Sequence, residues 1–188
     1  VILGLLLNDV IDELLESPLV VAISLIFGGF LLLKVDDWFK SNEEIDKNNP
    51  TAHTEIGYLT ALKIGFFQCL AMIPGTSRSG ASIVGGMTQK LNRKTAAEFS
   101  FFLAVPTMFG ATAKKLYDYF QDGLVLTGQQ LNLLFIGNVL AFIVALIAIK
   151  SFIDYLSKSG FKIFGYYRIV IGISILLIHY FIYPLSII

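Results

Sequence analysis

The run Met72-Ile73-Pro74-Gly75-Thr76-Ser77-Arg78-Ser79-Gly80-Ala81-Ser82 gathers four hydroxyl side chains around one arginine, between two apolar segments. An arginine at membrane depth costs roughly 2.5–3.5 kcal/mol on insertion scales, so it requires a partner. Proline disfavours helix in the residue before it, and glycine accepts backbone angles closed to other residues. Pro74-Gly75 therefore ends an apolar helix. Thr76, Ser77 and Ser79 are suited to cap the helix that follows. The start of that helix then presents free N–H groups and a positive dipole end, which together make an anion site. Arg78 adds a planar donor fork matched to phosphate oxygens. Gly80, Ala81 and Gly85 keep the backbone accessible and the packing close.

A blander use of the same residues is an ion pair between Arg78 and Glu98, the acidic residue nearest an otherwise apolar span, with the hydroxyls merely capping. Glu98 could equally belong to the site. Gln68 could hydrogen-bond across helices or serve the site. His53, in a charged loop, and His179, near the end of the last span, both lie away from the motif, where a general base could not reach its proton. No cluster of His, Cys or closely spaced carboxylates has metal-ligand spacing. Glu43-Glu44 reads as a solvated loop, and the single Cys69 as a packing thiol.

The elements that must position this run are membrane spans. The chain has 188 residues, 55% hydrophobic and 15% charged, with a mean hydropathy of +0.73. Soluble domains run nearer 25% charged, so the expected class is an all-α polytopic membrane protein. Zero formal net charge and the lack of a basic face argue against nucleic acid as a partner. Residues 1–188 read as one integral membrane domain. The apolar opening Val1 to Leu7 is too short to cross alone, since a span needs about 20 residues. It reads as the end of a severed helix, and the chain as the C-terminal part of a longer protein.

An acidic segment, Asn8 to Ser17, precedes a span from Leu19 to Lys34. A charged loop follows from Asp36 to Thr54. Ile56 to Ile73 and Ser79 to Leu91 are both short, and around the Pro-Gly break they read as a re-entrant hairpin over residues 56–91. Backbone without helix is tolerated at that depth only where protein or water covers it. Three spans remain: Thr95 to Tyr119, with Pro106 as an expected kink; Leu131 to Lys150; and Gly165 to Tyr183. Ten cations (Lys34, Lys40, Lys47, Lys90, Arg93, Lys94, Lys150, Lys158, Lys162 and Arg168) then fall on one side and two, Lys114 and Lys115, on the other. That excess places the first side in the cytoplasm. The hairpin enters from there, its tip reaching toward the midplane. Gly28-Gly29 and Gly172 permit close helix approach, within the chain or in a homodimer.

Phe67 to Ala71, the run Pro74 to Ala81 and then Gly85-Gly86-Met87 resemble the second signature of the bacterial undecaprenyl-diphosphate phosphatases, also called bacitracin resistance proteins. Ala97 to Phe101, Ala104 to Pro106 and Ala145 to Lys150 fit the same pattern, and the resemblance runs over essentially the whole chain. It implies interlocked inverted repeats, each with a re-entrant hairpin. It implies removal of the terminal phosphate of undecaprenyl diphosphate, a lipid carrier for cell-wall polymers, in the bacterial inner membrane. The site would open toward the extracytoplasmic side, and a divalent cation (Mg2+ or Ca2+) would take part. The resemblance implies Arg78 and Ser77 as the catalytic phosphate-site residues, with Thr76 and Ser79 close by; Gly75 and Gly80 join these two as phosphate-binding candidates, and Glu98 and Gln68 are supporting candidates from the residue reading alone. The family's first signature, a glutamate-rich half-helix followed by a Ser-Ser-Thr-Gly-His turn, is absent here. The chain as given is therefore expected to lack the acid–base half and not to turn over alone. The alternative class is a transporter or flippase that binds an anionic lipid head group without cleaving it, since half-helix ends serve that use too.

Overall fold

A computed structural model describes residues 14, 17–42, 56–123 and 126–182. The opening apolar run, and most of the loop that holds Glu43, Glu44 and His53, lie outside these residues. The described residues form helices and turns, with no strand among them. In chain order they are α1 (Pro18–Trp38), α2 (Tyr58–Cys69) with a single 3-10 turn (Leu70–Met72), α3 (Arg78–Thr88), α4 (Arg93–Gln121), α5 (Gly128–Ser159) and α6 (Lys162–Leu177). A short π turn, Ile178–Ile182, extends α6. Residues 18–38, 93–121, 128–159 and 162–181 are each long and apolar enough to cross a membrane, as expected of a multi-pass membrane protein.

The helix starts follow from local chemistry. Ser17 caps α1 by accepting from Val20 N at 3.4 Å, with Pro18 in the first turn where its missing N–H costs nothing. Asn92 accepts from Thr95 N at 2.7 Å and starts α4. Thr127 and Gln130 form a reciprocal capping box on α5. That helix is 32 residues long, or about 48 Å at 1.5 Å per residue, so it outruns a hydrocarbon core of about 30 Å. It does not stop near Lys150 but continues to Ser159, ended by Gly160 at φ 72°. Pro106 lies inside α4, which runs through it unbroken.

Two antiparallel helices, α1 and α6, form the backbone of the fold, meeting at their glycines. A Cβ at Gly29 would stand 2.9 Å from Gly165 O, and one at Gly165 would stand 2.9 Å from Gly29 O. One at Gly172 would meet Ala22 O at 2.9 Å. These glycines therefore pack within the chain and let the two backbones approach, with the side chains of Ile26, Leu33 and Ile169 packed against them.

One end of the bundle is a polar base. Asp36 accepts from Phe161 N at 2.8 Å and pairs with Arg93 at 3.4 Å, tying α1 to the start of α4 and to the α5–α6 connection. Asn42, just past α1, donates to Met87 O at 2.8 Å and Leu91 O at 3.0 Å, tying the end of α1 to the turn that closes α3. Above this base lie the buried side chains Leu32, Val35, Ile64, Ile83, Met87 and Leu156. The hairpin limbs pack on this core and on one another. Phe67 of α2 lies over Gly85, Ala96 of α4 lies over Gly86, and the Ser82 and Ser100 hydroxyls are 2.6 Å apart.

Candidate functional site

The break between α2 and α3 is a tight turn. Thr76 N–H donates to Ile73 O at 3.0 Å across Pro74 and Gly75, and Gly75 has φ +84°. Proline in the second position and a positive φ in the third are the pattern of a type II turn. A side chain at Gly75 would meet Val21 O at 2.6 Å, because the turn is pressed against α1 at Val21 and Ser24. Ser24 is six residues into α1, or about 9 Å from its first residue. The tip thus stands nearer the end of α1 opposite the base.

The turn delivers the chain to the start of α3. Ser77 is the cap, its Oγ accepting from Gly80 N–H at 3.1 Å and lying 3.3 Å from Ser79 Oγ. Ala81 N–H makes the first backbone bond, to Ser77 O at 2.8 Å. The N–H groups of Arg78 and Ser79 therefore have no intrahelical acceptor and stay available to an anion. Ser82 donates back to Arg78 O at 2.9 Å. The result is a cluster of donors, two backbone N–H groups and the Ser77 and Ser79 hydroxyls, on the same helical turn that carries the exposed Arg78 side chain.

Two cavities, of about 180 and 220 Å³, meet at this tip. Both are lined by Ser77, Gly80, Leu32 and Arg168. The smaller also touches Thr76 and is walled by apolar residues of α1, including Leu31 and Trp38. The larger touches Ser79 and is walled by aromatic residues of α5 and α6. Arg78 is exposed and lines neither. Its side chain stands outside the two cavities, on the residue that opens α3. Arg78 and Glu98 make no ion pair; the pairs found among the described residues are Arg93–Asp36 and Lys162–Asp37. Glu98 and Gln68, like Arg78, line neither cavity.

Arg168 is the site neighbour that sequence reasoning missed. Counted there with the base-side cations, near the start of the last span, it lies within α6 and reaches the tip, donating through Nη2 to Gly75 O at 2.6 Å and to Ser24 O at 3.4 Å. Removing it leaves nine cations on the base side, which does not alter the excess. Its position seven residues past Phe161 could have placed it about two turns above the base. Nothing in the sequence tells which carbonyl it would find.

The family described as bacitracin resistance protein BacA matches residues 1–174. The chain belongs to this family. Among BacA relatives, an undecaprenyl-diphosphatase of Flavobacterium psychrophilum is 66% identical over 188 residues, covering all of this chain and 69% of the relative. An undecaprenyl-diphosphatase of Flavobacterium johnsoniae is also 66% identical, over 191 residues and 69% of its length. One of Fusobacterium nucleatum is 48% identical over 180 residues, 95% of this chain and 66% of the relative. In this BacA chain, no group of three or more His, Cys, Asp or Glu among the described residues could hold a metal ion. The tip offers N–H and O–H donors, which suit an anion. These residues therefore do not fit the divalent cation implied by the sequence resemblance.

Proposed function

We propose that the chain is the phosphate-gripping part of a membrane phosphatase that hydrolyses undecaprenyl diphosphate to undecaprenyl phosphate and inorganic phosphate, recycling the lipid carrier for cell-wall synthesis. The observation that carries this reading is the open N-terminus of α3, capped by Ser77 and facing cavities walled by apolar side chains. A charged head group and a hydrocarbon tail need such neighbours side by side. The relatives' shared name supports the same substrate.

Within this reading, Arg78 and the N–H groups of Arg78 and Ser79 bind the terminal phosphate and stabilise the charge that grows on its equatorial oxygens. Thr76, Ser79, Gly75 and Gly80 shape the cradle. Among the described residues no imidazole or carboxylate is hydrogen-bonded to Ser77, and its Oγ is engaged by Gly80 N–H. Ser77 keeps its own hydroxyl proton and, within this reading, donates it to a phosphate oxygen. With the lysine-rich base in the cytoplasm of a bacterial inner membrane, the tip opens toward the extracytoplasmic side, where it is reached by the head group.

The test is Arg78→Ala in the full-length protein, assayed for phosphate release from undecaprenyl diphosphate. We expect kcat/KM to fall by about 100-fold or more, the range for loss of a donor aimed at developing charge. Activity near wild type, with the protein folded, would rule out this site.

A further inference from the structure

We infer that Arg168 is the positioning residue of the phosphate site, a strut that holds the Pro74-Gly75 turn and so fixes where the start of α3 points. The inference rests on the phosphatase reading above. Its observations are separate from the donors assigned there, since Arg168 lies 93 positions from Gly75 and on another helix.

Three observations carry it. First, the bond to Gly75 O is short, at 2.6 Å, and the same Nη2 lies 3.4 Å from Ser24 O, so one guanidinium nitrogen bridges the turn and α1. Second, the carbonyl it holds lies two residues before the Ser77 cap. A shift of Gly75 is passed along Thr76 to Ser77 and to the N–H groups that follow. Third, the space for this guanidinium is created by a glycine. A Cβ at Gly28 would stand 2.7 Å from Nη2 and 3.3 Å from Cζ, so any side chain there would displace the strut.

The cost of this arrangement argues for a role. Arg168 lies within a helix long and apolar enough to span a membrane, and no carboxylate among the described residues pairs with it. Its Nε is fully buried and without a hydrogen-bond partner. A guanidinium left this way is expensive. What the cation does have is the turn carbonyl and a place in the wall shared by both cavities. Lysine could not reproduce the arrangement, since an ammonium lacks the planar fork that packs over Gly28 while bonding Gly75.

The experiment compares full-length wild type, Arg168→Met, Arg168→Lys and Gly28→Ala for phosphate release from undecaprenyl diphosphate. Arg168→Met should lower kcat at least tenfold, with KM within about threefold, in line with loss of a charge-assisted hydrogen bond that orients the site. Millimolar guanidinium should restore part of that loss by occupying the vacated place, which general unfolding would not allow. Gly28→Ala should lower kcat in the same direction with Arg168 intact, and Arg168→Lys should not rescue. A second readout needs no turnover: thiol labelling of Thr76→Cys in a Cys69→Ala background should quicken at least threefold when Arg168→Met is added. Wild-type kcat in Arg168→Met, or an unchanged labelling rate, overturns the strut. A wild-type protein that releases no phosphate while labelling still responds defeats the phosphatase reading and leaves the strut standing.

Discussion

The Ser82 and Ser100 hydroxyls face each other at 2.6 Å, buried between α3 and α4. Ser82 also donates back to the carbonyl of Arg78, one turn below the phosphate donors. The pair therefore couples the stability of the α3–α4 contact to the first turn of the site helix.

Ser100→Ala should destabilise the protein by about 1–3 kcal/mol, because it removes the cross-helix partner of a buried hydroxyl. Adding Ser82→Ala should cost less than the sum of the two single changes, since the two hydroxyls share one interaction. Thermal unfolding in detergent measures both. Simple additivity would show that the two hydroxyls act independently.

Gly75→Ala strains the tip in two ways. The backbone at φ +84° disfavours any L side chain by about 1–2 kcal/mol, and the new methyl group meets Val21 O at 2.6 Å. We expect phosphate release to fall at least tenfold, because the turn must lift off α1 and carry Ser77 with it. Kinetics of the full-length variant, beside its melting temperature, would show whether the site moves before the fold fails.

Arg78→Lys keeps the charge and loses the fork. If the guanidinium engages two phosphate oxygens at once, kcat/KM should fall by about tenfold or more while stability stays within about 0.5 kcal/mol, as befits an exposed side chain. Near-normal kinetics in this variant would count against two-pronged binding.

Asp36 has two partners that single substitutions can separate. Asp36→Asn retains an acceptor for Phe161 N–H but loses the ion pair with Arg93, whereas Asp36→Ala loses both. Stability should therefore rank wild type above Asn above Ala, with the alanine variant down by about 2 kcal/mol or more. Equal losses in the two variants would assign all the stabilisation to the ion pair.

The hairpin's location was legible because its signals are local. Pro74-Gly75 stops one helix, Ser77 caps the next, and both limbs are too short for ordinary spans. The ends of α5 were less legible. Asp154 and Lys158 look like loop residues, yet they lie on a helix longer than the hydrocarbon core is thick. The contacts of Asp36, Asn42 and Arg168 were not legible at all. Each is set by which helices become neighbours, and side chains 45 to 125 positions apart leave no shared local pattern. The aromatic-walled cavity escaped for the same reason, since Phe152 and Phe164 meet only after α5 and α6 fold back on each other.

The glycine seam between α1 and α6 has a mechanical consequence. Where two helices come close enough for backbone to meet backbone, with Ile26, Leu33 and Ile169 packed tightly beside the glycines, they tilt as one beam. Ser24 and Arg168 are both mounted on that beam, and Arg168 bonds the carbonyls of Ser24 and Gly75 together. Any breathing that admits a long lipid must then come from α5 or from the outer length of α4, whose side chains have few protein neighbours in this chain. The frame that aims the donors is stiff, and the walls that receive the hydrocarbon are free to yield.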